Sequence, residues 1–128
     1  MIVDSSAVIA LLLREPGSAR LATALLGPEP CGLPAPAYVE CCLVLGRRFD
    51  QTGVRRLDEF LDQYRIAVVA FTEAHAVLAR DAFFRFGKGR HPAGLNFGDC
   101  MSYAVARAEG RPLLFVGDDF ARTDVVRA

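Results

Sequence analysis

Four short apolar segments that alternate with helical segments restrict the fold of this chain more than any other feature. The strand-like segments are residues 2–4, 31–36, 66–71 and 113–116, and the residues between them repeat apolar side chains at helical spacing. Strand-and-helix alternation favours a mostly parallel sheet covered by helices on both faces. The sequence therefore predicts one α/β domain over residues 1–128.

Helix breakers and capping residues divide the helical segments further. Pro16 interrupts the first of them, and Gly53 opens an amphipathic one. Thr72 is the predicted N-cap of the helix before the glycine-rich residues 87–95, and Gly110 closes the helix after them. Residues 87–95 are therefore predicted to form the longest loop.

Composition excludes several classes of protein. The longest apolar run, Ala7 to Leu13, is too short to span a bilayer, and no secretion signal is recognisable, so we expect a soluble cytoplasmic protein. The 15 basic and 15 acidic residues cancel, so any contact with nucleic acid must be local rather than a bulk positive field. No C-x-x-C spacing occurs, which predicts reduced core thiols rather than zinc ligands or disulfides at Cys31, Cys41, Cys42 and Cys100.

Acidic residues fall where a parallel sheet collects its ligands, at the carboxyl ends of the strands. Asp4 ends the first strand, Glu40 lies in the helix after the second, and Asp99 lies in the first turn of a later helix. Asp118 and Asp119 follow the last strand. Each acid also has a local interpretation as a helix cap or a turn residue. Together they predict a cluster of carboxylates at one edge of the sheet.

Clustered carboxylates need a compensating charge. Two of them at about 4 to 5 Å repel by roughly 3 to 4 kcal/mol at an effective dielectric near 20. Glu40 interrupts an apolar helix face, and only Arg47 lies on its side as a possible partner. An all-carboxylate set selects a hard cation, Mg²⁺ or Mn²⁺, over zinc. Such a cation polarises phosphate and activates water, which indicates phosphodiester hydrolysis.

Four stretches carry a resemblance to a known family: "MIVDSSAVIALLLREP", the glutamate of "PAYVE", "GLNFGDCMSYAVA" and "PLLFVGDDFARTDV". In order and spacing the chain resembles PIN-domain ribonucleases, and among them the VapC toxins of bacterial toxin–antitoxin pairs. The resemblance implies a three-layer α/β/α PIN-like fold and a metal-dependent endoribonuclease acting on a structured RNA of the tRNA or rRNA class. It also implies a VapB-type antitoxin as partner, a homodimer, and contact with DNA only through the antitoxin.

The resemblance assigns roles to individual residues. It places the metal-binding, catalytic acids at Asp4, Glu40 and Asp99. Ser6 matches a hydroxyl residue that helps to hold the metal or its water, and the alternative is that Ser6 caps the helix. Asn96 either orients Asp99 or caps its helix, and we favour the cap.

The fourth acid departs from the family pattern. Many PIN domains read T-x-D-x-D-F, which places Phe115 at the threonine and Gly117 at the first aspartate, leaving Asp119 as the catalytic acid and Asp118 at a variable position. In a chain that stays extended, residues 117 and 119 share one side and 118 points the other way. We therefore predict Asp119 rather than Asp118 as the metal ligand, although a bend at Gly117 would remove the second argument.

The loop before Asp99 offers cations for RNA phosphates. Phenylalanines are interleaved with the candidate RNA-binding residues Arg85, Lys88, Arg90 and His91. The alternative is that the phenylalanines are core residues and the charges only solvate the loop. His91 is a weaker candidate for a general base, and His75 is taken as structural.

Three other functions are alternatives to a metal-dependent endoribonuclease. An aspartate-dependent phosphatase or receiver domain is disfavoured, because Ser6 stands where the phosphatase motif has a second aspartate and Lys88, the only lysine, does not follow a late strand. A non-catalytic PIN module that binds RNA or a protein is the main alternative, and cleavage of DNA is the third.

Overall fold

The computed structural model describes residues 1–128 and contains four strands and five helices. In chain order the elements are β1 (Ile2–Val3), α1 (Ser5–Leu12), α2 (Ser18–Leu25), β2 (Cys31–Pro34), α3 (Ala35–Tyr64), β3 (Ile66–Val69), α4 (Glu73–Phe86), α5 (Phe97–Glu109), β4 (Leu113–Leu114) and a 3₁₀ turn (Phe120–Arg122). All strand pairs are parallel, in the order β3-β2-β1-β4. The prediction of an α/β fold with a parallel sheet is confirmed.

Two hydrophobic cores lie on the two faces of the sheet. Ile2 of β1 and Leu113 of β4 pack with residues of α4 and α5, whereas Val3 and Leu114 pack with residues of α1, α2 and α3. Successive residues of a strand point to opposite faces, so this alternation assigns one core to each face. The result is the three-layer α/β/α arrangement.

Helix α3 bends sharply and folds back on itself. Asp50 has φ 51° and ψ −147°, which lies outside the helical region. The hydroxyl of Tyr38 donates to Asp58 Oδ1 at 2.9 Å, which joins the parts before and after the bend. A Cβ on Gly53 would lie 2.5 Å from the backbone oxygen of Leu45, so only glycine permits this contact. The helix that contains Glu40 and the amphipathic helix predicted to start at Gly53 are therefore the two parts of α3, and they pack against each other.

Helix α4 begins as the sequence predicted. Thr72 is its N-cap, and the Thr72 hydroxyl accepts a hydrogen bond from the backbone N–H of His75 at 3.4 Å. In return the backbone N–H of Thr72 donates to His75 Nδ1 at 3.1 Å. This reciprocal pair is a capping box with histidine in the usual place of glutamate. The structural interpretation of His75 is confirmed.

The last residues of the chain cover the outer edge of β4, where the sequence predicted no element. The backbone N–H of Leu113 donates to the oxygen of Val126 at 2.8 Å, and the N–H of Ala128 donates to the oxygen of Leu113 at 3.0 Å. Arg127 forms the corresponding parallel bridge with Leu113. An edge strand that would otherwise present unpaired backbone groups is thereby paired.

All four cysteines are free thiols; Cys31, Cys41 and Cys100 are buried, as predicted for core residues, whereas Cys42 is half-buried. None of the helices combines the length and the hydrophobicity that crossing a bilayer requires.

Candidate active site

The carboxyl edge of the sheet carries a cleft of about 360 Å³ lined by four of the predicted acids. Asp4 follows β1, Glu40 lies in α3 after β2, and Asp119 follows β4. Asp99 reaches the same edge because α5 runs back toward the amino ends of the strands and so begins here. The topology of the sheet thus brings together four acids that are far apart in the sequence.

Asp4 is buried at the end of β1 and is held by Ser6. Asp4 Oδ2 accepts the backbone N–H of Ser6 at 2.9 Å and its hydroxyl at 2.6 Å, so Asp4 is the N-cap of α1. The Ser6 hydroxyl in turn accepts the backbone N–H of Val116 at 3.1 Å. Asp4 therefore caps α1 and also lines the cleft. Ser6 connects Asp4 by hydrogen bonds to the segment that follows β4.

Asp99 is oriented by the N-terminus of its own helix. Its Oδ2 accepts the backbone N–H of Asn96 at 2.8 Å, and its backbone N–H donates to Asn96 Oδ1 at 2.9 Å. These two bonds form a capping box, so the favoured interpretation of Asn96 as the N-cap is confirmed. The same bonds hold the carboxylate of Asp99, which lines the cleft, in place at the start of α5.

The environment of Asp99 opposes its negative charge. Burial raises the pKa of Asp99 to about 6, and the negative charges of Asp4, Asp119 and Glu40 act in the same direction. The backbone N–H of Asn96 opposes the rise. A cation in the cleft would stabilise the ionised form of Asp99 and reverse this effect.

We expect the metal-free protein to lose stability as the pH rises from about 4 to about 6. The pKa of Asp99 is about 6 in the folded protein against 3.8 ordinarily, so within this window the folded state binds more protons than the unfolded state. By linkage, the stabilisation is complete below 3.8 and is lost as the pH passes about 6. Urea unfolding in EDTA at several pH values measures the slope, and Asp99→Asn is expected to flatten it. A constant difference between the two proteins at every pH would contradict this assignment.

Glu40 is held by a contact that the sequence did not suggest. The Ser5 hydroxyl donates to Glu40 Oε2 at 3.0 Å, and the possible pairing with Arg47 is absent from the ion pairs of the structure. Gly98 leaves room for this carboxylate, because a Cβ on it would lie 2.8 Å from Glu40 Oε2. Glu15 also lines the cleft and was not predicted. The only feature of the sequence that could have indicated the contact with Glu40 is Ser5, a second hydroxyl residue beside Asp4.

The two aspartates after β4 are placed differently. Asp119 lines the cleft, whereas Asp118 is not among its lining residues. Gly117 has φ +99° and bends the chain there, so the argument that depended on an extended chain does not hold. Asp119 instead reaches the cleft as the residue that starts the 3₁₀ turn. Buried Phe120, packed on Phe115 with ring centroids 5.0 Å apart, anchors that turn.

Two of the four candidate RNA-binding residues make intramolecular hydrogen bonds. Arg85 donates to Asp124 Oδ2 at 3.0 Å, and the hydroxyl of Tyr103 donates to Asp124 Oδ1 at 2.6 Å. His91 Nδ1 accepts the backbone N–H of Ala93 at 3.1 Å. Arg85 therefore anchors the C-terminal residues, and His91 shapes its own loop.

The other two candidates are exposed beside aromatic rings. Lys88 and Arg90 lie on the surface, and the guanidinium of Arg90 is 4.7 Å from the ring centroid of Phe84 and 5.3 Å from that of Phe83. Phe84 is 58% exposed and Phe83 40%, whereas Phe86 is buried. The alternative in which all these phenylalanines are core residues holds for Phe86 alone.

The donors of the cleft suit a hard divalent cation in their chemistry. They are carboxylate, hydroxyl and amide oxygens, with no histidine or cysteine among the lining residues. As the side chains stand, no group of three or more acidic, histidine or cysteine residues is arranged to hold a metal ion. Asp119 is exposed, so its side chain is free to rotate toward the other three acids.

Comparison with known proteins identifies the family of this chain. The sequence model of the PIN domain family matches residues 1–126. Ribonuclease VapC28 of Mycobacterium tuberculosis is 47% identical over 129 residues, which cover 100% of this chain and 97% of the relative. Ribonuclease VapC of Mycolicibacterium smegmatis is 43% identical over 125 residues, which cover 98% and 97%.

Solved structures share the fold. M. tuberculosis VapC20, described as a Sarcin-Ricin loop cleaving toxin, matches with a TM-score of 0.78 at 19% identity, covering 99% of this chain and 97% of VapC20. VapBC2 from Rickettsia felis, bound to a DNA fragment from their promoter, matches with a TM-score of 0.79 at 12% identity, covering 98% and 94%. At such identities the likeness concerns the fold, and the family rests on the sequence matches. The chain therefore belongs to the PIN-domain family and, within it, to the VapC ribonucleases.

Proposed function

We propose that this protein is a divalent-metal-dependent endoribonuclease and the toxin of a VapBC-type toxin–antitoxin pair. The observation that carries the proposal is the cleft in which Asp4, Glu40, Asp99 and Asp119 meet from four separate parts of the chain. The raised pKa of Asp99 supports it, because this carboxylate is placed where its charge needs a cation. Relatives with 42% to 47% identity over the full chain carry the name VapC ribonuclease.

The four acids would hold the cation, and their neighbours would fix them for that role. Mg²⁺ is the proposed ion, with Mn²⁺ as a substitute, and when bound it would polarise the scissile phosphate and activate water. Ser6 holds one oxygen of Asp4, and Asn96 holds one oxygen of Asp99. Each aspartate thus keeps an oxygen for the cation, and the carboxylates are oriented before RNA arrives.

The defining test is cleavage of total cellular RNA by the purified protein in Mg²⁺ or Mn²⁺. We expect discrete RNA fragments that EDTA abolishes, and sequencing of the cleavage ends identifies the target among structured RNAs of the tRNA or rRNA class. Metal-dependent cutting of DNA but not RNA would support a DNA nuclease instead. Inactivity on every RNA, with RNA or protein binding intact, would support a non-catalytic PIN module.

An apolar surface beside the cleft suits the proposed antitoxin. Phe97 is 80% exposed, Leu43 57% and Val39 53%, and all three lie in a groove that also includes Glu40. A VapB-type peptide with apolar side chains and one basic side chain would cover the groove and reach the acids. We expect co-purification with the product of an adjacent small gene, whereas a harmless, active lone protein would argue against the toxin role.

The remaining parts of the proposal concern assembly and location. We propose a homodimer, contact with DNA only through the antitoxin, and a cytoplasmic location, where the four free thiols stay reduced. The mass of the purified protein in solution tests the dimer.

Lys88 and Arg90 are proposed to contact RNA phosphates, with Arg90 and Phe84 offering a surface for a base. We expect Lys88→Ala combined with Arg90→Ala to weaken the binding of RNA by catalytically inactive Asp4→Asn protein. The dependence of the binding constant on salt concentration should fall by the contribution of about two phosphate contacts. Binding measured from about 50 to 200 mM salt gives the slope. Exposed Arg20 on α2, changed to Ala, is the control. An unchanged slope would show that the loop does not bind RNA.

A further inference from the structure

We propose that Ser5 is a positioning residue that holds the Glu40 carboxylate in place for the cation, an inference that rests on the proposed function. Ser5 is only 8% exposed at the start of α1, and its hydroxyl donates to Glu40 Oε2 at 3.0 Å across 35 positions of sequence. This is the one hydrogen bond that the Glu40 carboxylate accepts from a side chain or from the backbone.

Glu40 needs such a contact more than the neighbouring aspartates do. Asp4 and Asp99 have short side chains, and each accepts a backbone N–H of its own helix terminus. Glu40 lies on an exposed part of α3, and its longer side chain has more rotatable bonds to order. Fixing a glutamate side chain in one conformation costs conformational entropy. A bond formed during folding removes that cost from the step of metal binding.

The surroundings of the two residues restrict the carboxylate further. Gly98 of α5 also lies close to this carboxylate, because a Cβ on it would come within 2.8 Å of Glu40 Oε2. The thiol of Cys41, which is fully buried, lies 4.0 Å from the backbone oxygen of Ser5 and packs α3 against the start of α1. Oε2 therefore lies close to both the Ser5 hydroxyl and Gly98, and Oε1, which makes no hydrogen bond, is the oxygen proposed to bind the cation.

Ser5 and Ser6 are adjacent in the sequence, but their hydroxyls have different hydrogen-bond partners. Ser6 holds Asp4 and the chain after β4, whereas Ser5 holds α3. Because the two serines act on different acids, removing the Ser5 hydroxyl should affect the site through Glu40 alone. A positioning role thus predicts a specific dependence on Glu40, which a general loss of folding would not produce.

A double-mutant cycle between Ser5 and Glu40 tests the proposal. Binding of Mn²⁺ alone is measured by electron paramagnetic resonance, and RNA cleavage is measured at saturating Mn²⁺. Loss of an outer-shell contact typically lowers metal affinity by about 10- to 100-fold, and we expect about a tenfold loss for Ser5→Ala. In Glu40→Ala protein, which has no acceptor for the Ser5 hydroxyl, Ser5→Ala should have no further effect, and Ser5→Thr, which keeps the hydroxyl, should retain native affinity in otherwise native protein.

The matched control is Ser102→Ala. Ser102 is fully buried in α5, and its hydroxyl has no hydrogen-bond partner, so its removal should leave Mn²⁺ affinity unchanged. Equal losses from Ser5→Ala with and without Glu40, or no loss in either protein, would overturn the positioning role. If no protein cleaves RNA while Ser5→Ala still weakens Mn²⁺ binding through Glu40, the proposed ribonuclease activity fails and the positioning role stands.

Discussion

Asp4→Asn and Asp99→Asn are each expected to lower the rate of RNA cleavage by at least about 100-fold. A metal ion contributes several kcal/mol of charge stabilisation to the transition state, and each 1.36 kcal/mol is a factor of ten in rate. Removing one carboxylate charge from the cation site should forfeit much of that contribution.

The two substitutions remove charge while keeping the local hydrogen bonds. Asparagine is as good an N-cap as aspartate, so Asn at position 4 can still accept the N–H and hydroxyl of Ser6. Asn at position 99 can still accept the N–H of Asn96. We therefore expect folded variants, and at neutral pH without metal Asp99→Asn should be at least as stable as the native protein because it lacks the disfavoured charge.

Cleavage of total cellular RNA in Mn²⁺ and titration of Mn²⁺ binding measure the outcome. Asp62→Asn is the control, because Asp62 is an exposed aspartate near the end of α3 and does not line the cleft. Native rates and native Mn²⁺ affinity in both Asp4→Asn and Asp99→Asn would exclude the carboxylate cleft as the catalytic site.

Asp119→Asn is expected to reduce cleavage about as strongly, whereas Asp118→Asn should stay within about twofold of the native rate. Asp119 lines the cleft and contributes to the raised pKa of Asp99, and Asp118 does neither. The Asp119 side chain makes no capping hydrogen bond to the 3₁₀ turn that it begins, so its loss should not disturb the turn. The adjacent aspartate is the best available control for charge and exposure.

Single-turnover cleavage assays with both variants, together with their thermal unfolding, decide between the two aspartates. A larger loss in Asp118→Asn would show that the segment after Gly117 presents the other carboxylate to the cleft when RNA is bound. Equal losses would mean that the net negative charge of this segment matters more than either position.

The fold followed from patterns that act over short distances. Apolar residues recurred at strand and helix spacing, Thr72 caps the start of α4 and Gly110 the end of α5, and Pro16 lies between α1 and α2. The approximate place of the site followed too, because parallel strands connected by helices carry their carboxyl ends to one edge. Asp4, Glu40 and Asp99 could be proposed from that rule and from the resemblance to PIN domains.

The contacts between residues of the site could not be predicted from short-range sequence patterns. The bond from Ser5 to Glu40, the close approach of Gly98 and the position of Glu15 depend on how α3 and α5 pack against α1. Arg85 is another example, since its engagement with Asp124 joins residues 39 positions apart. Spacing along the chain carries no information about such pairs.

The segment after β4 shows most clearly which features the sequence determined and which depended on the tertiary structure. By itself the sequence determined that a buried strand ends in two aspartates and that Gly117 replaces an acid common in the family. Only the tertiary structure decided how Asp119 reaches the cleft: Gly117 turns the chain at φ +99°, and the burial of Phe120 against Phe115 sets the direction of the following turn. A glycine permits many paths, and the path taken depends on packing against residues far away in sequence.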